Sequence, residues 1–214
     1  DYCNKNNSLL VFDEVICGFR CQMGGASKKH NIQADLGCFG KSMANGYPLS
    51  ALVGKKKYMK IMEDIFVSGT FSGDILSIAA AIATIKKLQR FDVIKKINKH
   101  GIKLTTMLNN IIDENNLIDQ VCFEGNDWWP RLNIKTKKID NNLFLTLLRQ
   151  ELISNNLFLG SSLNLCLAHC NEKIYNQTIS RFSKTIKNFS KYISVHNPES
   201  YLKGSLVSSV FKIR

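Results

Sequence analysis

Two side chains in this sequence have the types and spacing for joint acid–base chemistry. Leu9-Leu10-Val11-Phe12 runs into Asp13, with Glu14 and Val15 following, and Ala34 to Gly40 forms a second short strand signal that stops at Lys41. Four apolar residues ending in an acid read as a buried parallel strand, and ligands of α/β sheets collect at the carboxyl ends of such strands. A carboxylate and an ammonium would then face one crevice. That pair suits an electron-sink cofactor, with the lysine forming a Schiff base and the acid keeping a ring nitrogen protonated. Pyridoxal 5'-phosphate is the cofactor whose chemistry needs both groups.

Each candidate has a plainer reading. Glu14 competes with Asp13, because strand alternation turns neighbours in opposite directions and only one can meet the ring. Gly40-Lys41-Ser42 imitates the end of a phosphate-binding P-loop, but that motif needs a glycine where Asp35 stands. Val15 is ordinary core packing or a ring contact, and the two are compatible. Thr70, in Ser68-Gly69-Thr70-Phe71-Ser72-Gly73, either starts a helix or offers its hydroxyl and the adjoining N–H groups to a phosphate. Arg20 is read as tying a loop, and Trp128-Trp129-Pro130 as packing.

The elements that must position these residues are legible in outline. Met59 to Phe66 has helical spacing. Asp74 opens a helix to about Arg90, with Ala79-Ala80-Ala81 expected to be buried, and Asp92 caps another in which Gly101 is a weak point. The character changes near Asn115-Asn116. Beyond it, Val121 to Phe123 and Arg131 to Ile134 read as strands about a Gly125-Asn126-Asp127 turn. A helix capped by Asp140 runs from Asn141 to about Ser154. Phe158-Leu159 and Leu163 to Ala168 suggest strands, and Asn171 caps a last helix through Tyr192.

Composition narrows the classes. With 214 residues, 44% of them hydrophobic, the chain is a folded globular protein. No apolar stretch approaches the roughly 20 residues of a membrane span, and Asp1 to Asn6 lacks a signal-peptide layout, so a soluble cytoplasmic protein is expected. The net charge of +12 is spread over scattered lysines without a basic stripe interleaved with aromatics, which argues against nucleic acid or a membrane surface as partner. Seven cysteines include no Cys-x-x-Cys pair, so reduced thiols are expected and no metal is assigned.

Three blocks carry a resemblance: LLVFDEVICGFR (Leu9 to Arg20), ADLGCFGKSMANGYPLSALVG (Ala34 to Gly54) and SGTFSGDILSIAAAIATI (Ser68 to Ile85). In this order and spacing the chain resembles the class III aminotransferases, fold-type I pyridoxal-phosphate enzymes, near the glutamate-1-semialdehyde aminomutase branch. The resemblance implies that Lys41 forms the internal aldimine, Asp13 pairs with the pyridinium nitrogen, and Val15 packs on one ring face. It further implies that Thr70 binds the cofactor phosphate of the neighbouring subunit of a homodimer. An α/β fold follows, with residues 1–115 the later part of the large domain, 116–195 a carboxyl-terminal α+β small domain, and 196–214 an unassigned tail. The implied reaction passes an amino group from a small-molecule donor to a carbonyl acceptor of sugar or amino-acid-derived type. Ala44 to Ser50 departs from the glycine-rich stretch usual in the aminomutases and favours an aminotransferase; an aminomutase-like enzyme and a truncated, non-catalytic remnant needing a partner chain are the alternatives.

Overall fold

The computed structural model describes residues 1–207. The chain divides into two compact units, Asp1–Lys95 and from Lys96 onward. The first contains α1 (Tyr2–Lys5), β1 (Val11–Asp13), α2 (Gly25–Lys29), β2 (Leu36–Phe39), β3 (Ala51–Gly54), α3 (Lys56–Met59) and α4 (Ile75–Arg90). Its sheet has the order β1-β2-β3, with β1 and β2 parallel and β3 antiparallel to β2. Met43, Ala44 and Ala81 form a small core, against which Phe19, Phe39, Leu49, Ala51 and Ile85 pack.

Three expectations for this unit are corrected. The apolar run before Asp13 is paired in parallel, but it is not buried: β1 is an edge strand and Val11 is 49% exposed. The helical spacing of Met59 to Phe66 yields only the end of α3 and a 3-10 turn, Lys60–Glu63. Helix α4 starts as expected, with Asp74 accepting from the Ser77 N–H at 2.9 Å and from the Ser77 hydroxyl. Of its alanines only Ala81 is buried, while Ile75 and Leu76 are 79% and 70% exposed.

The helix α5 (Val93–Glu114) begins within the first unit's last residues and continues into the second. The second unit adds β4 (Val121–Asn126), β5 (Trp129–Ile134), α6 (Asn141–Ser154) and α7 (Glu172–Ile193). β4 and β5 form a hairpin, with Asn126 paired to Trp129, so the turn is Asp127-Trp128, two residues beyond the expected one. Asp140 accepts from the N–H groups of Asn142 and Leu143, and Asn171 from those of Lys173 and Ile174, fixing the starts of α6 and α7. Leu108, Ile112, Phe144, Leu147, Phe182, Ile186 and Phe189 make its core, and Trp128 is buried as packing.

The strands expected at Phe158-Leu159 and Leu163 to Ala168 are not formed. Leu157, Leu163 and Leu165 are buried, but the backbone there pairs only in a bridge between Arg131 and Ser162, and Leu167–Cys170 is a 3-10 turn. Apolar residues here serve the core without a ladder. The beginning of the expected tail folds back. Tyr201 stacks on Tyr192 at 4.5 Å, the Gln150 side chain donates to the Tyr201 carbonyl, and the Val207 N–H donates to Thr146 Oγ1. Residues 208–214 lie outside the described residues. No described helix is long and apolar enough to cross a membrane.

Gly101 reverses its expected role. A Cβ there would lie 1.7 Å from the Asp127 carbonyl oxygen, so this glycine admits the hairpin turn against α5. Helix propensity alone would make Gly101→Ala stabilising by about 1 kcal/mol. The clash reverses the sign, and denaturant unfolding should show a loss of about 1–3 kcal/mol. A gain would mean that the turn moves aside freely.

Candidate functional site

Register determines what meets at the edge of the first sheet. Asp13, the last residue of β1, lies opposite Cys38 of the parallel β2, and the Glu14 N–H donates to the Cys38 carbonyl at 2.8 Å. Lys41 follows Cys38 by three residues, a reach of at most about 11 Å of extended chain. Acid and lysine therefore leave the same edge of the sheet, at the carboxyl ends of neighbouring parallel strands.

Local folding presents Lys41 outward. It opens a 3-10 turn, Lys41–Met43, closed by the Met43 N–H donating to the Gly40 carbonyl at 3.0 Å. Met43 and Ala44 are buried beneath the turn while Lys41 is exposed. The backbone of Lys41 has φ 41°, a left-handed conformation uncommon for a residue with a side chain and one that collects at functional sites. This signal is conformational and has no sequence counterpart.

Asp13 and Glu14 part company as alternation requires. Asp13 is exposed, and its Oδ1 accepts from the Val15 N–H at 3.0 Å, which steadies the carboxylate at the strand end. Glu14 is 1% exposed and turns inward, accepting from the N–H groups of Ala26 at 2.9 Å and Ser27 at 2.7 Å in the first turn of α2. Gly25, at φ 70°, makes room for it, since a Cβ there would lie 2.3 Å from Glu14 Oε2. Val15 is half-buried, with its Cγ1 placed 3.7 Å from where a Gly40 Cβ would be. Asp13, Val15 and Lys41 thus belong to one locality. Thr70 does not join them through any hydrogen bond among the described residues; it lies exposed in the turns before α4.

The thiols nearby are not primed as nucleophiles. Burial first, then the charges of Glu14 and Asp13, push the Cys17 thiol up; burial first, then Cys17 and Glu14, do the same to Cys21. Sequence reasoning passed over two further groups. Ser42 donates through Oγ to the Gly18 carbonyl at 3.0 Å. Asp35, at the opposite end of the strands, pairs with Lys55 Nζ at 2.8 Å and accepts from the Leu10 N–H at 2.9 Å, so one buried carboxylate ties the approaches to β1 and β2 to the exit from β3.

The Asp35 carboxyl is held below its ordinary value of 3.8, first by the Lys55 hydrogen bond and next by the Leu10 N–H. A depressed folded value means that the carboxylate stabilises the fold above pH 3.8 and that this contribution is lost as the pH falls below it. Thermal melts across pH should therefore show a deficit for Asp35→Asn that is constant from neutral pH to about pH 5 and closes below about pH 4. A deficit independent of pH would assign the effect to packing.

Comparison with known proteins bears on the family and the fold. The model of the family described as Aminotransferase class-III matches residues 1–128. A 3-aminobutyryl-CoA aminotransferase of Cloacimonas acidaminovorans is 35% identical over 178 residues, covering 80% of this chain and 42% of that protein. A glutamate-1-semialdehyde 2,1-aminomutase of Wigglesworthia glossinidia brevipalpis is 38% identical over 118 residues, 54% of this chain and 27% of that one. Among solved structures, the pyridoxal-phosphate internal aldimine form of the FumI protein of Sphingopyxis sp. MTA144 superposes with a TM-score of 0.81 at 24% identity, covering 93% of this chain and 47% of that one. The fold is that of these transaminases, and the chain spans less than half the length of the relatives it matches.

Proposed function

The chain belongs to the class III aminotransferase family, and on that footing we propose that it supplies the lysine-bearing part of a pyridoxal-phosphate-dependent aminotransferase site. The observation that carries the reading is the parallel register of β1 on β2, which brings Asp13 opposite Cys38 and so beside the turn that bears Lys41. The donor set fits the cofactor. An exposed amine is available for its aldehyde, a steadied carboxylate for its ring nitrogen and an apolar Val15 for its ring face. Bound there, pyridoxal phosphate supplies an electron sink that lets a carbon–hydrogen bond beside an amine ionise. Lys41 Nζ would hold the cofactor by its aldehyde carbon and, when free, would move the proton at the substrate carbon. Asp13 would keep the ring nitrogen protonated through an ion pair.

In this reading Thr70 holds the phosphate of the neighbouring subunit's cofactor, making the working unit a homodimer in the cytoplasm. The substrates are a small-molecule amino donor and a carbonyl acceptor. Relatives named glutamate-1-semialdehyde 2,1-aminomutase favour a second reading, in which donor and acceptor carbons belong to one molecule. Ala44-Asn45-Gly46-Tyr47-Pro48-Leu49-Ser50 supports the first, since it lacks the glycine-rich character of the aminomutases.

The lysine assignment is tested by adding excess pyridoxal phosphate to the chain, reducing with borohydride and mapping the labelled peptide. The label is expected on Lys41, with Lys41→Ala unlabelled and equally stable, because an exposed lysine contributes little packing. Labelling of another lysine, with Lys41 bare, would refute it.

The acid assignment is tested by comparing Asp13→Asn with Glu14→Gln. A hydrogen bond to a charged partner contributes about 1.5–3 kcal/mol, so Asp13→Asn should weaken cofactor binding by about 10- to 100-fold at unchanged melting temperature. Glu14→Gln should instead lower the melting temperature, since an amide cannot accept from two N–H groups as the carboxylate does. The opposite ranking would exchange the two roles.

A further inference from the structure

Lys41 carries its side chain on a left-handed backbone, φ 41°, and such a conformation persists only where its surroundings over-determine it. Three hydrogen bonds close a circuit around it. On the amino-terminal side, Cys38 receives the Glu14 N–H at 2.8 Å, and the chain continues through Phe39 and Gly40 to Lys41. On the carboxyl-terminal side, Ser42 Oγ donates to the Gly18 carbonyl at 3.0 Å, and the Gly18 N–H donates to the Glu14 carbonyl at 2.7 Å. The circuit therefore starts and ends at Glu14, and every link except the Ser42 hydroxyl is main chain.

Both ends of that circuit are fixed. Glu14 is anchored by its carboxylate to Ala26 and Ser27. Gly18 is buried where no larger residue fits, since a Cβ would lie 2.5 Å from Phe39 Cδ1 and 2.7 Å from the Glu14 carbonyl oxygen. A carbonyl held this firmly is a fixed post for the serine. We infer that Ser42 is a positioning residue: its hydroxyl, bonded to Gly18, fixes the root of the Lys41 side chain relative to the strand end that carries Asp13. This rests on the reading of Lys41 as the cofactor-bearing lysine. In this role Ser42 acts through the backbone of its neighbour, and loss of the hydroxyl removes the tie between the Lys41 turn and Gly18.

The test uses the 214-residue chain, its Ser42→Ala and Ser42→Thr variants, and pyridoxal phosphate as the probe. Absorbance titration gives the cofactor dissociation constant, pH titration of the bound cofactor's visible band gives its midpoint, and borohydride mapping identifies the lysine. Loss of one neutral hydrogen bond corresponds to a roughly 2- to 10-fold change in an equilibrium. Ser42→Ala should therefore bind about 2- to 10-fold more weakly and move the pH midpoint by roughly 0.3–1 pH unit. Ser42→Thr, which keeps the hydroxyl, should restore both. A purely structural role would lower the melting temperature of Ser42→Ala and leave the pH midpoint in place, which overturns the inference. So would wild-type affinity and midpoint in Ser42→Ala with Lys41 still labelled, and in that case the reading of the site stands. Absence of label on Lys41 in the unaltered chain removes both.

Discussion

The parallel pairing of β1 with β2 is the constraint on which the rest depends. One register, Asp13 opposite Cys38, fixes where the acid leaves the sheet and where the lysine turn begins. Because side chains alternate along a strand, a slip of one residue would bury Asp13 and present Glu14 to the crevice. The register is held against such a slip at both ends of the strands. Asp35 ties their approaches to Leu10 and Lys55, and the Glu14 N–H reaches the Cys38 carbonyl at the other end. An edge strand with an exposed Val11 gains little from burial, so these polar ties carry much of the specification.

Glu14 shows how a charge contributes to a site without taking part in its chemistry. A buried carboxylate is costly unless its lone pairs are met, and here two N–H groups at the start of α2 meet them. The geometry leaves Glu14 no freedom to turn outward. Its neighbour Asp13 is left exposed by the same alternation, with one oxygen engaged by the Val15 N–H. Two adjacent acids thus part: one holds the loop and the other stands exposed at the strand end.

What could be read from the sequence follows the range of the interactions involved. The caps at Asp74, Asp140 and Asn171 were legible because each bonds to N–H groups two or three residues away. The strand ends at Asp13 and just before Lys41 were legible because strand ends announce themselves in hydrophobic pattern. Gly101 was misread as a weak point because its reason is Asp127, distant in the chain. Phe158-Leu159 and Leu163 to Ala168 were misread as strands because Leu159, Leu163 and Leu165 look the same whether they line a sheet or plug a core. Ser42 and Gly18 were invisible, since a serine and a glycine in loops acquire meaning only when a hydrogen bond 24 residues long in sequence joins them.

On the proposed reading, the parts of a cofactor that this locality would address are its aldehyde, ring nitrogen and one ring face, each through a single residue. That division separates orientation from affinity. A ring ion pair and an apolar contact set direction, whereas a phosphate dianion is retained by several charge-assisted hydrogen bonds, each about twice as strong as a neutral one. Thr70, exposed and away from any hydrogen bond to Asp13, Val15 or Lys41, has the chemistry for a phosphate but not the position to serve the same locality through the contacts described here. The arrangement therefore favours a site completed by donors beyond Asp13, Val15 and Lys41. On that reading such a site would separate the residues that do the proton chemistry from those that hold the anion, so that substitution of Lys41 or Ser42 would alter reactivity and geometry while phosphate retention is governed elsewhere.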